Sequence, residues 1–142
     1  MLALTALVAA ALFTGAAFYV SFAEHPARLL LDDRSALAQW KPAYTRGAIM
    51  QAALALIGGV AGIAAWARWR SVWPWGVGGV VMLAIIAYTF AVIWKTNERL
   101  KATPLDQASP ETRALLVEWG RLHLGRVVLG AIATALFVYA RT

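Results

Sequence analysis

The chain contains two histidines, His25 and His123, and each lies at an end of a long apolar segment. A neutral imidazole can accept a proton near neutral pH, and it can also bind a metal ion. Trp119, His123 and Arg126 are spaced i, i+4 and i+7, which places them on one face of a helix. That face offers a base, a cation and an aromatic surface.

Further polar and aromatic residues lie at the same end of each apolar segment. If the segments alternate in direction, the exit of the first and third and the entry to the second and fourth share one side. The residues at that side are Tyr19, Glu24, His25 and Arg28; Trp40, Tyr44, Arg46 and Gln51; Lys95, Thr96, Asn97 and Arg99; and Glu118, Trp119, His123 and Arg126. We therefore predict a polar pocket at one end of the protein.

Simpler interpretations stay open for both histidines. His123 could lie in solvated helix beyond the membrane, and His25 could be an interfacial histidine beside Pro26, which ends or kinks a helix. Glu24 could orient His25, or it could form a structural ion pair with Arg28. Polar groups at membrane depth are costly unless they face the interior, which favours the pocket for His123 and Arg126.

The composition indicates a membrane protein. Of the 142 residues 61% are hydrophobic, against about 45–50% in soluble domains. The absence of cysteine excludes thiolate metal sites and cysteine nucleophiles. The net charge of +6 comes mostly from residues that flank apolar segments, which favours contact with membrane lipid and argues against nucleic acid.

Four segments are long enough to cross a bilayer. They predict an all-α, membrane-embedded, up-down-up-down four-helix bundle that forms a single domain over residues 1–142, with spans at about 2–23, 47–67, 72–94 and 114–140. Residues 68–71 join the second span to the third, whereas the connections over 24–46 and 95–124 are expected to be long loops. Ser109-Pro110-Glu111 predicts an earlier helix start before the fourth span.

The chain resembles the family called domain of unknown function 1772, which includes the anthrone oxygenases of aromatic polyketide pathways. The resemblance rests on "YVSFAEHPARLLL", "QWKPAYTRGAIMQ", "TNERL" and "EWGRLHLGR". It implies oxidation of an apolar aromatic or quinone-like molecule by dioxygen, with no added cofactor. It implies catalytic roles for His25, His123, Arg126 and Glu24, and substrate binding by Arg28, Trp40, Tyr44, Arg46, Gln51, Asn97 and Trp119.

Two alternative functions stay open. His25 and His123 could hold a haem or a metal in a membrane redox protein, although no haem-attachment or metal motif is present. The chain could also be a non-catalytic binding protein or partner subunit, and a homo-oligomer is compatible with the sequence. The expected location is a bacterial inner (cell) membrane, as a multi-pass protein; its orientation and substrate are undetermined.

Overall fold

The computed structural model describes residues 1–70 and 72–141 and consists of four long helices. We label them α1 (Leu2–Arg28), α2 (Asp33–Arg68), α3 (Trp73–Ala102) and α4 (Pro110–Tyr139), with a short 3₁₀ turn at Leu105–Gln107 before α4. Each helix is long and apolar enough to cross a membrane, and the described residues contain no strand. The predicted all-α bundle is confirmed, and the protein is an integral membrane protein.

The helices follow one another around a square. Each packs against its neighbours in the sequence and α1 also packs against α4, while α2 and α4 lie diagonally opposite. This is the up-down-up-down arrangement that short connections favour. The prediction of one domain over 1–142 remains a prediction, and Ser71 in the second connection and Thr142 at the end lie outside the described residues.

The expected long loops are mostly helical, which corrects the prediction for 24–46 and 95–124. α2 begins at Asp33 and α3 continues to Ala102, so the helices extend past the apolar segments at the site end. Asp32 caps α2 by accepting a hydrogen bond of 3.0 Å from the Ser35 backbone N–H. Hydrogen bonds from the Ser35 side chain and backbone lower the pKa of the Asp32 carboxyl.

The predicted helix start before the fourth span is confirmed. Ser109 and Thr112 form a reciprocal capping box, in which the Ser109 N–H donates to Thr112 Oγ1 at 3.2 Å, and Pro110 takes the first helical position. Lys41 of α2 donates to the carbonyls of Lys101 and Thr103 at 2.9 and 2.6 Å. These bonds provide donors for carbonyl groups at the C-terminal end of α3, which have no partner within the helix. These contacts fix the helix ends around the site.

Two helices contain a π-helical turn just before the site. Val20–Glu24 forms one in α1 and Thr89–Ile93 forms one in α3. The helix continues through Pro26 to Arg28, so the proline does not end it where the sequence suggested. A π turn inserts an extra residue per turn and so changes the direction in which later side chains point. The residues that follow the two π turns include four buried polar ones, His25, Arg28, Thr96 and Asn97.

Small residues allow the helices to approach at the end opposite the site. A Cβ added at Gly79 would lie 2.8 Å from the carbonyl oxygen of Gly59, and a Cβ at Gly62 would lie 3.0 Å from the Gly79 Cα. Backbones of α2 and α3 therefore meet there, as glycine permits in membrane helices. A second buried cluster at the site end contains Leu37, Trp40, Ile93, Leu100, Leu116 and Trp119.

Candidate functional site

A cavity of about 280 Å³ opens at the predicted end of the bundle, between α1, α2 and α4, and we call it cavity A. Its lining is mostly apolar. Nine of the predicted site residues line it, contributed by three helices. They are Glu24, Arg28, Trp40, Tyr44, Arg46, Gln51, Trp119, His123 and Arg126. The structure thus brings together most of the predicted set, while leaving their roles to experiment.

Arg126 is a buried cation without an acidic partner. It is 7% exposed, and its Nη2 donates to Gln51 Oε1 at 2.9 Å. Its Nε has no hydrogen-bond partner in the structure, and its Cζ lies 5.5 Å from the centre of the Phe13 ring. No salt bridge among the described residues includes Arg126. Burying an uncompensated charge is costly, so this guanidinium is suited to an anionic or oxygen-rich ligand.

His123 lies one helical turn before Arg126 and is 3% exposed. Its Nδ1 forms a hydrogen bond of 2.9 Å with the hydroxyl of Ser21 on α1. Nε2 has no hydrogen-bond partner among the residues that the structure describes. Since His123 lines cavity A, Nε2 is the ring nitrogen left to a ligand. When Nδ1 carries the proton and donates to Ser21, Nε2 is a free base.

Aromatic rings form one wall of cavity A. Trp40 and Tyr44 stack with ring centres 4.7 Å apart and planes 14° from parallel. Trp119 meets Trp40 edge-on at 5.8 Å and stacks on the His123 ring at 4.9 Å. Flat rings of this kind bind other flat rings through stacked or edge-on contacts. The wall therefore suits an aromatic ligand placed between the base and the cation.

His25 lies behind this wall and does not line cavity A. Its Nε2 is 2.9 Å from the Leu116 carbonyl oxygen, and its Nδ1 is 2.9 Å from Arg28 Nη1. Because a carbonyl only accepts and a guanidinium only donates, the ring is a neutral tautomer that donates through Nε2. Both nitrogens are then engaged, which favours a role for His25 in positioning Arg28 and Trp119, and its predicted catalytic role stays a prediction.

Glu24 forms the ion pair with Arg28 that the sequence left open. Arg28 donates to Glu24 through Nη2 and to Gln39 through Nε, and Gln39 in turn donates to Glu24 at 3.2 Å. The Glu24 carboxylate therefore neutralises Arg28 and does not contact His25 directly in any hydrogen bond that the structure shows. This pair leaves Arg126 as the cation of cavity A that is both buried and uncompensated.

The remaining predicted residues, Asn97 and Arg46, lie at the margins. Asn97 does not line cavity A; its Oδ1 accepts a hydrogen bond of 2.9 Å from Trp119 Nε1 and so fixes that ring. Arg46 lines the cavity but is exposed, which places it at the rim. Asn97 is accordingly a supporting residue, and Arg46 is available to a ligand that enters.

The geometry does not offer a pair of histidine ligands for haem or a metal. A ligating nitrogen needs a free lone pair, and that of His25 is directed at Arg28. Trp119 also contacts both histidine rings, with centres 5.1 Å from His25 and 4.9 Å from His123. Among the described residues, no three His, Asp or Glu side chains group as a metal site would require. The described residues therefore do not fit a haem or a histidine-bound metal ion.

Sequence reasoning missed three partners of the site: Ser21, Gln39 and the Leu116 carbonyl. Ser21 is a polar residue within an apolar segment, four residues before His25, and that isolation was a usable signal. Gln39 adjoins Trp40 but looked like an ordinary surface residue. The carbonyl of Leu116 carries no sequence signal, because every residue has one.

We expect His25→Ala to lower stability more than it lowers catalytic rate. The change leaves Arg28 Nη1 without its acceptor and removes the side-chain donor to the Leu116 carbonyl, and a buried unsatisfied group costs about 1–3 kcal/mol. The thermal midpoint in lipid nanodiscs should fall clearly, while kcat for an aromatic substrate should remain within about tenfold of wild type. A loss of kcat by about a thousandfold in a folded variant would instead show that His25 takes part in proton transfer.

A known family covers most of the residues that line cavity A. The family described as anthrone oxygenase matches residues 40–136, which is more than half of the chain and includes the aromatic wall, Arg46, Gln51, Asn97, His123 and Arg126. No curated protein and no solved structure matches the chain. The earlier resemblance is confirmed by this match. The chain belongs to the anthrone oxygenase family.

Proposed function

We propose that this protein oxidises an anthrone-like phenol to a quinone with dioxygen, in a bacterial inner membrane and without an added cofactor. The single observation that carries the proposal is the uncompensated Arg126 guanidinium beside His123 in an aromatic-walled cavity. Membership of the anthrone oxygenase family supports the reaction type. The three parts of the site correspond to a base, an oxyanion partner and a ring-binding surface.

The ligand would lie flat against the rings of Trp40, Tyr44 and Trp119. Pockets for small molecules usually occupy about 300–1,000 Å³, so a cavity of about 280 Å³ accepts a single compact ring system. An oxygen of that ring system would reach the Arg126 guanidinium, whose N–H groups not bonded to Gln51 can donate to it. Burial strengthens this interaction because water is largely excluded.

The chemistry begins with removal of a proton from the central methylene of the ring system by His123 Nε2. The resulting anion is delocalised onto the oxygen held by Arg126, which lowers the barrier to its formation. The anion transfers one electron to dioxygen, and the substrate radical and superoxide combine to form a peroxide. The peroxide takes the proton back from His123 and loses water, so one methylene and one dioxygen give one carbonyl and one water.

The test is turnover of an anthrone by the purified protein in lipid nanodiscs. Oxygen uptake should match quinone formation mole for mole, and oxygen-18 gas should place one labelled atom in the new carbonyl and the other in water. Empty nanodiscs provide the control, because anthrones also oxidise slowly without protein. A rate no greater than in empty nanodiscs, across several ring-hydroxylated anthrones, would refute the proposed reaction.

A further inference from the structure

A second cavity, which we call cavity B, reaches Arg126 from the α3 side of the bundle. It has a volume of about 280 Å³ and lies between α2 and the π turn of α3. Tyr44, Ala48, Gln51 and Arg126 line both cavities. Cavity A approaches these residues from α1 and cavity B approaches them from α3, so the two cavities are separated only by the shared residues.

The chemistry of cavity B differs from that of cavity A. His123, Trp40 and Trp119 line only cavity A. In cavity B the walls beyond the shared residues are apolar, and the hydroxyl of Thr89 is already donated to the Ile85 carbonyl at 2.8 Å. Cavity B therefore offers no histidine or carboxylate, and beyond the shared residues and Thr89 its polar group is the indole N–H of Trp94. A small apolar molecule suits it better than a second polar ligand does.

The mouth of cavity B lies among exposed apolar residues of the membrane spans. Ile49 is 69% exposed and Phe90 is 60% exposed, and Trp94 stands beside Phe90 with ring centres 5.2 Å apart. In a bilayer the apolar Ile49 and Phe90 side chains face acyl chains, and Trp94 lies toward the interface, where tryptophan is enriched. Dioxygen is apolar and partitions from water into hydrocarbon, so the bilayer is its richer source.

We propose that cavity B is the dioxygen site, filled from the bilayer, while cavity A holds the aromatic substrate. This inference rests on the proposed function. A ring system in cavity A would cover His123 and the aromatic wall and so close that approach to Arg126. Cavity B keeps a separate approach from the α3 side. The Arg126 guanidinium then lies next to both reactants, and it stabilises the negative charge as an electron passes from the substrate anion to dioxygen.

Filling cavity B should raise the KM for dioxygen and leave the KM for the aromatic substrate nearly unchanged. Ala52 lines cavity B, whereas the adjacent Ala53 lines neither cavity and is also exposed on α2, so Ala53→Phe is a matched control. For Ala52→Phe we expect the KM for dioxygen to rise about fivefold or more, with the KM for the aromatic substrate changed by less than about twofold. Ile86→Phe fills the cavity from the opposite wall and should behave in the same way.

Xenon binding provides a readout that does not depend on turnover. Xenon occupies apolar cavities that accept dioxygen-sized molecules, and its NMR shift in nanodiscs should show a saturable site in the wild type and in Ala53→Phe. That site should be lost in Ala52→Phe and Ile86→Phe. If the wild type oxidised no aromatic compound, the proposed function would fail, and equal xenon binding in all four proteins would separately overturn the assignment of cavity B. A raised KM for the aromatic substrate instead of dioxygen would also overturn it.

Discussion

Replacing His123 with alanine is expected to lower kcat for anthrone oxidation by about 10²–10⁴-fold, the usual contribution of a positioned general base. The reason is that His123 Nε2 is the histidine nitrogen of the site without a partner among the described residues, and the hydrogen bond of 2.9 Å between Nδ1 and the Ser21 hydroxyl holds the ring in place. KM should change little, because the aromatic wall and Arg126 remain. Steady-state oxygen uptake in nanodiscs, corrected for empty nanodiscs, measures both constants.

The His25→Ala variant is the matched control, since it removes the other histidine of the chain. Both imidazoles contact Trp119, yet the nitrogens of His25 are engaged with Leu116 and Arg28. Added imidazole should restore part of the rate of His123→Ala if the missing group is a base. A folded His123→Ala variant that turns over at the wild-type rate would remove His123 from the mechanism.

Replacing Arg126 with methionine is expected to lower activity and raise stability in the same variant. Loss of an oxyanion partner typically costs about 10²–10³-fold in kcat. Removing a buried charge also removes its desolvation cost, which for an unpaired charge exceeds the cost of about 1–3 kcal/mol incurred when Gln51 Oε1 loses its donor. Arg126 is an extreme case because no carboxylate among the described residues neutralises it. The midpoint of thermal unfolding in nanodiscs should therefore rise, and the rate of oxygen uptake should fall.

Arg121→Met provides the control, because Arg121 lies on the same helix, is exposed and lines neither cavity. It should change neither the thermal midpoint nor the rate appreciably. A ring-hydroxylated inhibitor should stabilise the wild type by mass action and should have a weaker effect on Arg126→Met. If Arg126→Met were destabilised like an ordinary core variant and still bound the inhibitor, Arg126 would be structural.

The two variants separate proton transfer from charge stabilisation. His123→Ala removes the base and leaves a buried cation, so it should keep the affinity for an anionic ligand. Arg126→Met removes that cation and leaves the base, so it should lose the affinity. Such opposite patterns would not arise if both residues merely supported the fold, because both variants would then lose stability together.

Hydropathy, capping signals and residue spacing along the chain predict the four helices and the end of the bundle at which the site lies. Hydropathy over four segments predicts the spans, because each must satisfy its backbone within the bilayer. Ser109 and Pro110 carry a local capping signal, and the structure confirms the helix start that they predict. Trp119, His123 and Arg126 share a face because helical spacing alone requires it. Where the sequence suggested long loops, polar composition was mistaken for irregular structure, although helices such as α2 continue beyond the apolar segment.

Hydropathy and short motifs along the chain predict a four-span membrane bundle of a recognisable family, with its polar residues gathered at one end. How those residues divide depends on the folded structure: His25 bonds Leu116 across 91 residues, and His123 bonds Ser21 across 102. Arg28 has a carboxylate partner and Arg126 has none, although the two arginines look alike in the sequence. The physical reason is that hydropathy and periodicity are properties of a segment, whereas hydrogen-bond partners, buried charge and cavities depend on which helices meet.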